Sequence, residues 1–358
     1  MKKLRVGIVG LGKISGIYLD NLTKVFNDVV ELVGVVDLIE ARVKEVCETY
    51  HVQAYADVEA LLADKSIDLV LNLTTPQSHY SLCKQVLEAG KHVYVEKPLS
   101  LTVEQASELV DLAAKKNLML GGAPDTFLGA GIQTCRKLID DGWIGKPIGA
   151  SAFMMNHGHE SWHPDPEFYY KNGGGPLFDM GPYYITALVN LLGPVDSVSG
   201  YAQKSFETRT ITSEPKKGQT IDVEVATHIT GNLHFESGAV ATLVTSFDVW
   251  YHSMPNMEIY GTEGSLRVPD PNTFGGPVLF CRKGTKEWKE IPLLYGYAEN
   301  SRGFGVADIA CALADKKKNR ASGELTRHVV AVMSGLLTAA QEKRQVAIEH
   351  SCSRPEAR

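Results

Sequence analysis

The chain has 358 residues, more than one ordinary hydrophobic core organises, and its 44% hydrophobic and 22% charged residues are globular proportions. A formal net charge of −6 without a long basic run argues against nucleic acid or an anionic membrane as partner, and no stretch approaches the roughly 18 apolar residues of a membrane span. Six scattered cysteines (Cys47, Cys83, Cys135, Cys281, Cys311, Cys352) without a CxxC pair argue against a disulfide framework or thiolate zinc, and "MKKLRVGIVG" lacks a signal-peptide cleavage pattern, so the expected compartment is the reducing cytoplasm.

In chain order, the first third alternates short Val/Ile/Leu runs with segments of helical period. The strands are "LRVGIVG", "VELVGVVD", "DLVLNLT", "KHVYVEK" and "LMLGG"; the helices between them are "ISGIYLDNLTKV", "EARVKEVCETY", "HYSLCKQVLEAG" and "VEQASELVDLAAKKN". This alternation predicts an α/β domain with a parallel sheet over residues 1–122. Beyond it a helix, "GIQTCRKLIDDG", leads into long alternating stretches, "ATHITGNLHFESGAVATLVTSFDVW" and "MEIYGTEGSLRVP". Residues 123–358 are therefore expected to form a second α/β domain with a large, open, mostly antiparallel sheet, closed by helices near Val306–Lys317 and Leu325–Lys343 and a polar tail from His350.

Gly10, Gly12 and Ser15-Gly16 stand after the first strand and before a helix, a GxGxx(S/G) turn. Such a turn is either a tight corner or a cradle in which backbone N–H groups meet a pyrophosphate at a helix N-terminus. The second strand ends at Asp37, whose carboxylate can accept the ribose hydroxyls of an adenosine or cap the next helix. Together the turn and the acid favour a dinucleotide. A carboxylate there repels a 2′-phosphate, and no arginine follows until Arg42, so NAD is expected rather than NADP.

"LNLTTPQSH" and "VYVEKPLS" each lie at the carboxyl end of a strand, where open α/β sheets bind ligands. With the glycine turn, Thr75, Pro76 and His79, the Glu96-Lys97-Pro98 tripeptide and "GGGPLFDMGPYY", the chain resembles the Gfo/Idh/MocA family of NAD(P)-dependent oxidoreductases, and Tyr183 in place of a histidine common there brings it closer to glucose-fructose oxidoreductase-like members. The resemblance implies an N-terminal Rossmann domain that binds NAD and a C-terminal substrate-binding and oligomerisation domain. It also implies a ring secondary alcohol of a sugar, glycoside or cyclitol as substrate, and a homodimer or homotetramer. Gly10, Gly12, Lys13, Ile14, Asp37, Thr74, Thr75, Pro76, His79, Glu96 and Lys97 are the implied cofactor contacts.

Lys97 matches the family's catalytic lysine, which keeps a positive charge beside the developing alkoxide. Where relatives commonly show D-x-G-x-H, this chain has Asp179, Gly181 and Tyr183. Tyr183 is then the expected proton acceptor, helped by Lys97 and oriented by Asp179; the alternative is a core residue of an amphipathic helix. Asp125, in place of an arginine common in relatives, suits neutral hydroxyls. In "NHGHESWHPDPEFYY", His157, His159 and Trp162 are expected to contact substrate; ordinary loop structure and a metal site that also uses Glu160 and His163 are the alternatives, and no metal is expected. Glycoside cleavage through transient sugar oxidation and an NAD-binding regulator remain as other functions.

Overall fold

A computed structural model describes residues 2–358. Its first elements are β1 (Leu4–Val9), α1 (Ser15–Lys24), β2 (Val30–Val36), α2 (Glu40–Tyr50), β3 (Gln53–Ala54), α3 (Val58–Ala63), β4 (Leu69–Asn72), α4 (Pro76–Glu88), β5 (His92–Val95), α5 (Val103–Lys115) and β6 (Leu120–Gly122). They build a six-stranded parallel sheet in the order β3-β2-β1-β4-β5-β6. Consecutive residues Leu69, Val70 and Leu71 are all fully buried, so both faces of the sheet are covered, which is why its strands read as continuous apolar runs. The strand order reverses between β1 and β4. The loops after β1, β2 and β4 therefore leave the sheet at its switch point, where ligands of such sheets bind.

The chain continues through α6 (Ala130–Asp140), β7 (Pro147–Met155), α7 (Gly175–Asp179), α8 (Gly181–Leu192), β8 (Val195–Gln203), β9 (Thr208–Thr210), β10 (Thr220–Asp222), β11 (His228–Phe235) and β12 (Val240–Ser246). There follow β13 (Met257–Gly261), β14 (Gly264–Val268), β15 (Val278–Arg282), β16 (Lys289–Ile291), α9 (Phe304–Asp315), α10 (Gly323–Glu342) and β17 (Val346–Ala347). A nine-stranded sheet runs β16-β15-β14-β13-β7-β12-β11-β8-β17; its β7–β12 pair is parallel and the other pairs are antiparallel. In β11, Leu233 and Phe235 are buried while Asn232 and His234 are exposed, the alternation of a sheet with one covered face. Helix α8, buried along its whole length, packs against β7. No helix among the described residues is long and apolar enough to cross a membrane.

The compact units do not follow the expected division at 122/123. One holds the chain up to Leu128 together with Glu299–Val330; the other holds Gly129–Ala298 and Ala331–Arg358. Contacts distant in sequence draw Glu299–Val330 back to the first unit. The Gly122 amide donates to the Ala321 carbonyl at 3.1 Å, and a Cβ on Gly121 would stand 2.9 Å from both Ile309 and Tyr94, so this glycine lets the returning segment lie close.

Candidate active site

In the first unit the glycine turn divides into two kinds of glycine. Gly10 has φ +96°, and a Cβ there would meet the Leu73 carbonyl carbon and oxygen at 2.8 Å, so the approach of the β1 and β4 ends requires it. Gly12 is different: a Cβ would find nothing within 4 Å, so the protein's own packing has no need of a glycine there. Helix α1 begins immediately after, with no side-chain cap at Ile14 and no acid in its first turn. Uncapped amides and the positive end of a ten-residue helix thus adjoin open space, the condition for holding a phosphate. Lys13 is exposed and Ile14 is 37% exposed beside this turn.

Asp37 accepts the Leu11 N–H at 2.6 Å through Oδ2 and the Ile39 N–H at 2.8 Å through Oδ1, which ties the end of β2 to the glycine turn. Ile39, not Asp37, is the N-cap residue of α2, and Arg42 approaches the Asp37 carboxylate to 3.9 Å. At the end of β4, Thr74 donates its amide and hydroxyl to the buried Asn72 Oδ1 at 3.1 and 2.7 Å, while exposed Thr75 and half-buried Pro76 open α4. His79 is 1% exposed, its Nδ1 2.7 Å from the Pro98 carbonyl and its Nε2 3.1 Å from the Thr74 carbonyl. It therefore ties the loops after β4 and β5 together, and burial holds its pKa below the usual histidine range. Glu96 accepts the Tyr18 hydroxyl at 2.8 Å and the Lys97 amide at 2.9 Å, which fixes the backbone that carries the half-buried Lys97.

Asp125, expected to face substrate, is turned inward. It is 1% exposed, and its Oδ2 accepts the amides of Gly303 and Gly305 at 2.9 Å each, at the start of α9. Burial pushes its pKa up to about 6 against the pull of those amides. Its carboxylate serves the returning segment, an arrangement no local pattern could signal.

In the second unit the histidine-rich segment follows β7 and is held by a buried ionic cluster. Glu160 pairs with the Arg209 guanidinium and accepts the Tyr170 hydroxyl. Arg209 also lies 3.0 Å from Asp248 Oδ1 and donates to the His157 and Phe247 carbonyls at 2.7 and 2.9 Å. His157 stacks on Trp250, centroids 3.3 Å apart, and Trp250 is 81% exposed; burial and then the Arg209 charge lower the His157 pKa. His159 is 7% exposed, its ring between Tyr169 and Phe247 at 4.0 and 4.7 Å, and its Nε2 is 3.2 Å from Asp179 Oδ2. Trp162, 53% exposed, stands edge-on to it at 5.2 Å. No cluster of three or more metal-ligating side chains occurs among the described residues, since Glu160 is engaged by Arg209, His157 by Trp250 and His159 by Asp179.

Asp179 ends α7 and Tyr183 lies in the first turn of α8, both short helices entered through a proline. Gly173 and Gly175, at φ +84° and +80°, shape the turn before them. Tyr183 is 7% exposed; its neighbour Tyr184 is 1% exposed, accepts the Asn256 amide at 2.9 Å and has its pKa raised by burial. Arg209, Asp248 and Trp250 escape the sequence reading of function, in which Glu160 entered only as a ligand of the alternative metal site. Only the Trp250-Tyr251 pair, two bulky aromatics just past a strand, offered a local signal.

Residues 4–122 match the family described as oxidoreductase family, NAD-binding Rossmann fold, and residues 132–267 match the GFO/IDH/MocA C-terminal domain. The chain is 26% identical over 264 residues to myo-inositol 2-dehydrogenase of Thermotoga maritima, covering 74% of each protein. It is 28% identical over 273 residues to D-glucoside 3-dehydrogenase of Escherichia coli, covering 74% of this chain and 77% of that one. Levoglucosan dehydrogenase in complex with NADH shares the fold, with a TM-score of 0.83 at 18% identity, over 98% of this chain and 100% of that one.

Proposed function

The chain belongs to the Gfo/Idh/MocA family of oxidoreductases and has its NAD-binding Rossmann fold, and from this premise we propose that it interconverts a ring secondary alcohol of a sugar, glycoside or cyclitol and the corresponding ketone with NAD. Relatives named as dehydrogenases of an inositol and of a glucoside support that substrate class. The observation that carries the reading is Gly12, a glycine that faces open space beside the uncapped start of α1. In this reading Gly10, Gly12, Lys13 and Ile14 hold the pyrophosphate and Asp37 the adenosine ribose. Thr74, Thr75, Pro76, His79 and Glu96 shape the strand ends beside which Lys97 is presented.

Bound NAD supplies the acceptor for the hydride that leaves the carbinol carbon. The Lys97 ammonium stabilises the oxygen as it loses its proton, the Tyr183 phenolate takes that proton on Oη and becomes the phenol, and Asp179 orients the ring. His157, Trp162 and Trp250 offer a polar edge and ring faces to the sugar. The first unit serves the cofactor and the second the polyol, and the exposed face of the nine-stranded sheet packs a second copy into a dimer or tetramer.

The test is NADH absorbance with purified protein and a panel of sugars, glycosides and inositols. Accumulation of NADH in proportion to alcohol consumed is the expected result. Glycoside cleavage without net NADH would establish the redox-neutral alternative, and NAD binding without any turnover a regulator.

A further inference from the structure

We propose that His159 is a positioning residue of this reaction, acting through Asp179; the inference rests on the dehydrogenase reading above. Position 183, four residues beyond Asp179, carries a phenol, and the imidazole nearest that aspartate comes from the loop after β7 instead, with His159 Nε2 3.2 Å from Asp179 Oδ2. The burial of His159 decides its role. At 7% exposure it has little surface to offer a sugar, which corrects the expectation that it contacts substrate directly. Its Nδ1 is enclosed and has no hydrogen-bond partner, whereas Nε2 faces a carboxylate oxygen. A ring nitrogen that faces a carboxylate oxygen carries its N–H there, so His159 Nε2 is a fixed donor to Asp179.

The donor itself cannot drift. Tyr169, Phe247 and Trp162 surround the ring, and the next residue, Glu160, is anchored by Arg209 and Tyr170. Backbone bonds add to this: the Glu160 carbonyl accepts the Thr212 and Ser213 amides at 2.8 and 3.0 Å. The line of support thus runs from Arg209 through Glu160 and His159 to Asp179, and through Asp179 to the orientation of Tyr183. A hydrogen bond to a half-buried carboxylate is among the stronger kinds, and its loss removes one of the groups that set the orientation of Asp179.

The test compares two replacements. His159→Phe keeps an aromatic ring in the pocket and removes the donor; His159→Gln keeps an N–H near the position of Nε2. His159→Phe should lower kcat by about thirtyfold or more, with KM for the polyol, NAD affinity and melting temperature little changed, while His159→Gln stays within about fivefold of wild type. In an Asp179→Asn background His159→Phe should cost little more, because the carboxylate it holds is gone. Full kcat in His159→Phe, equal losses in both replacements, or additive losses with Asp179→Asn would each overturn the inference. Nitrogen-15 histidine spectra give a readout independent of turnover: His159 should be the Nε2–H tautomer, and an Nδ1–H tautomer overturns the proposal. Failure of the dehydrogenase reading is seen separately, as wild-type protein that reduces no NAD with any alcohol in the panel.

Discussion

Replacing Gly10 and Gly12 separately by alanine should divide what folding needs from what the cofactor needs. At Gly10 an alanine must adopt φ +96°, which costs about 1–2 kcal/mol, and its Cβ meets Leu73 backbone atoms at 2.8 Å that cannot yield as a flexible side chain would. Overpacking of that kind adds about 1–3 kcal/mol, so Gly10→Ala should lose about 2–5 kcal/mol and melt about 5–15 °C lower. At Gly12 the added methyl touches nothing within 4 Å and the backbone is not left-handed. Reduced freedom of the unfolded chain then gives a gain of about 0.4–1 kcal/mol, a melting temperature unchanged or slightly raised. NAD affinity should move the other way. A methyl in the phosphate cradle removes at least one amide approach to a charged oxygen, worth about 1.5–3 kcal/mol, or roughly tenfold to a hundredfold in Kd. Calorimetric melting and titration of NADH fluorescence measure the two effects. If Gly12→Ala binds NADH within about twofold of wild type, or unfolds well below it, the assignment of this turn to the cofactor is wrong.

Lys97→Ala and Tyr183→Phe should each depress kcat by about two orders of magnitude or more while NAD still binds, and the double variant should be little worse than the poorer single one; near-full kcat in Tyr183→Phe would remove Tyr183 from the proton path. Asp37→Ala should narrow the preference for NAD over NADP, with Arg42 released from its 3.9 Å approach to the carboxylate; an unchanged ratio of kcat/KM for the two cofactors would count against Asp37 as the selector. Asp125 should give the fold an acid-side gain. Its folded pKa of about 6 is raised above the unfolded value near 3.8, so its contribution to stability is fully present below the unfolded value and is lost as pH rises through about 6. Wild type should therefore gain about 1.3 kcal/mol on Asp125→Asn between pH 7 and pH 5, read from urea unfolding; identical pH dependence of the two proteins would refute the assignment.

Several features of the first unit were legible because they are local. Strands buried on both faces must be short apolar runs, and five of them in "LRVGIVG" through "LMLGG" marked a parallel sheet; only the two-residue β3 passed unnoticed, too short to carry a pattern. The glycine turn was legible as a local pattern between a strand and a helix, whereas the crowding that requires Gly10, Leu73 backbone atoms 2.8 Å from where its Cβ would stand, comes from the end of β4. Tyr183 shows the limit of such reading: its place after Asp179 follows from the motif, while its 7% exposure is a property of α8 and its surroundings.

Periodicity and turn chemistry in the sequence determine where strands and helices form and which loops can carry a phosphate or a catalytic amine, because these depend on neighbours a few residues away. Tertiary structure alone decided that Asp125 faces the amides of Gly303 and Gly305, that Glu299–Val330 returns to the first unit, and that β7 runs parallel beside β12. It also decided that Arg209 anchors Glu160 and that His159 serves Asp179. Each of these pairings joins residues far apart in the chain, and a buried charge takes whichever opposite charge or amide the packed fold brings within reach, a choice that no spacing along the chain encodes.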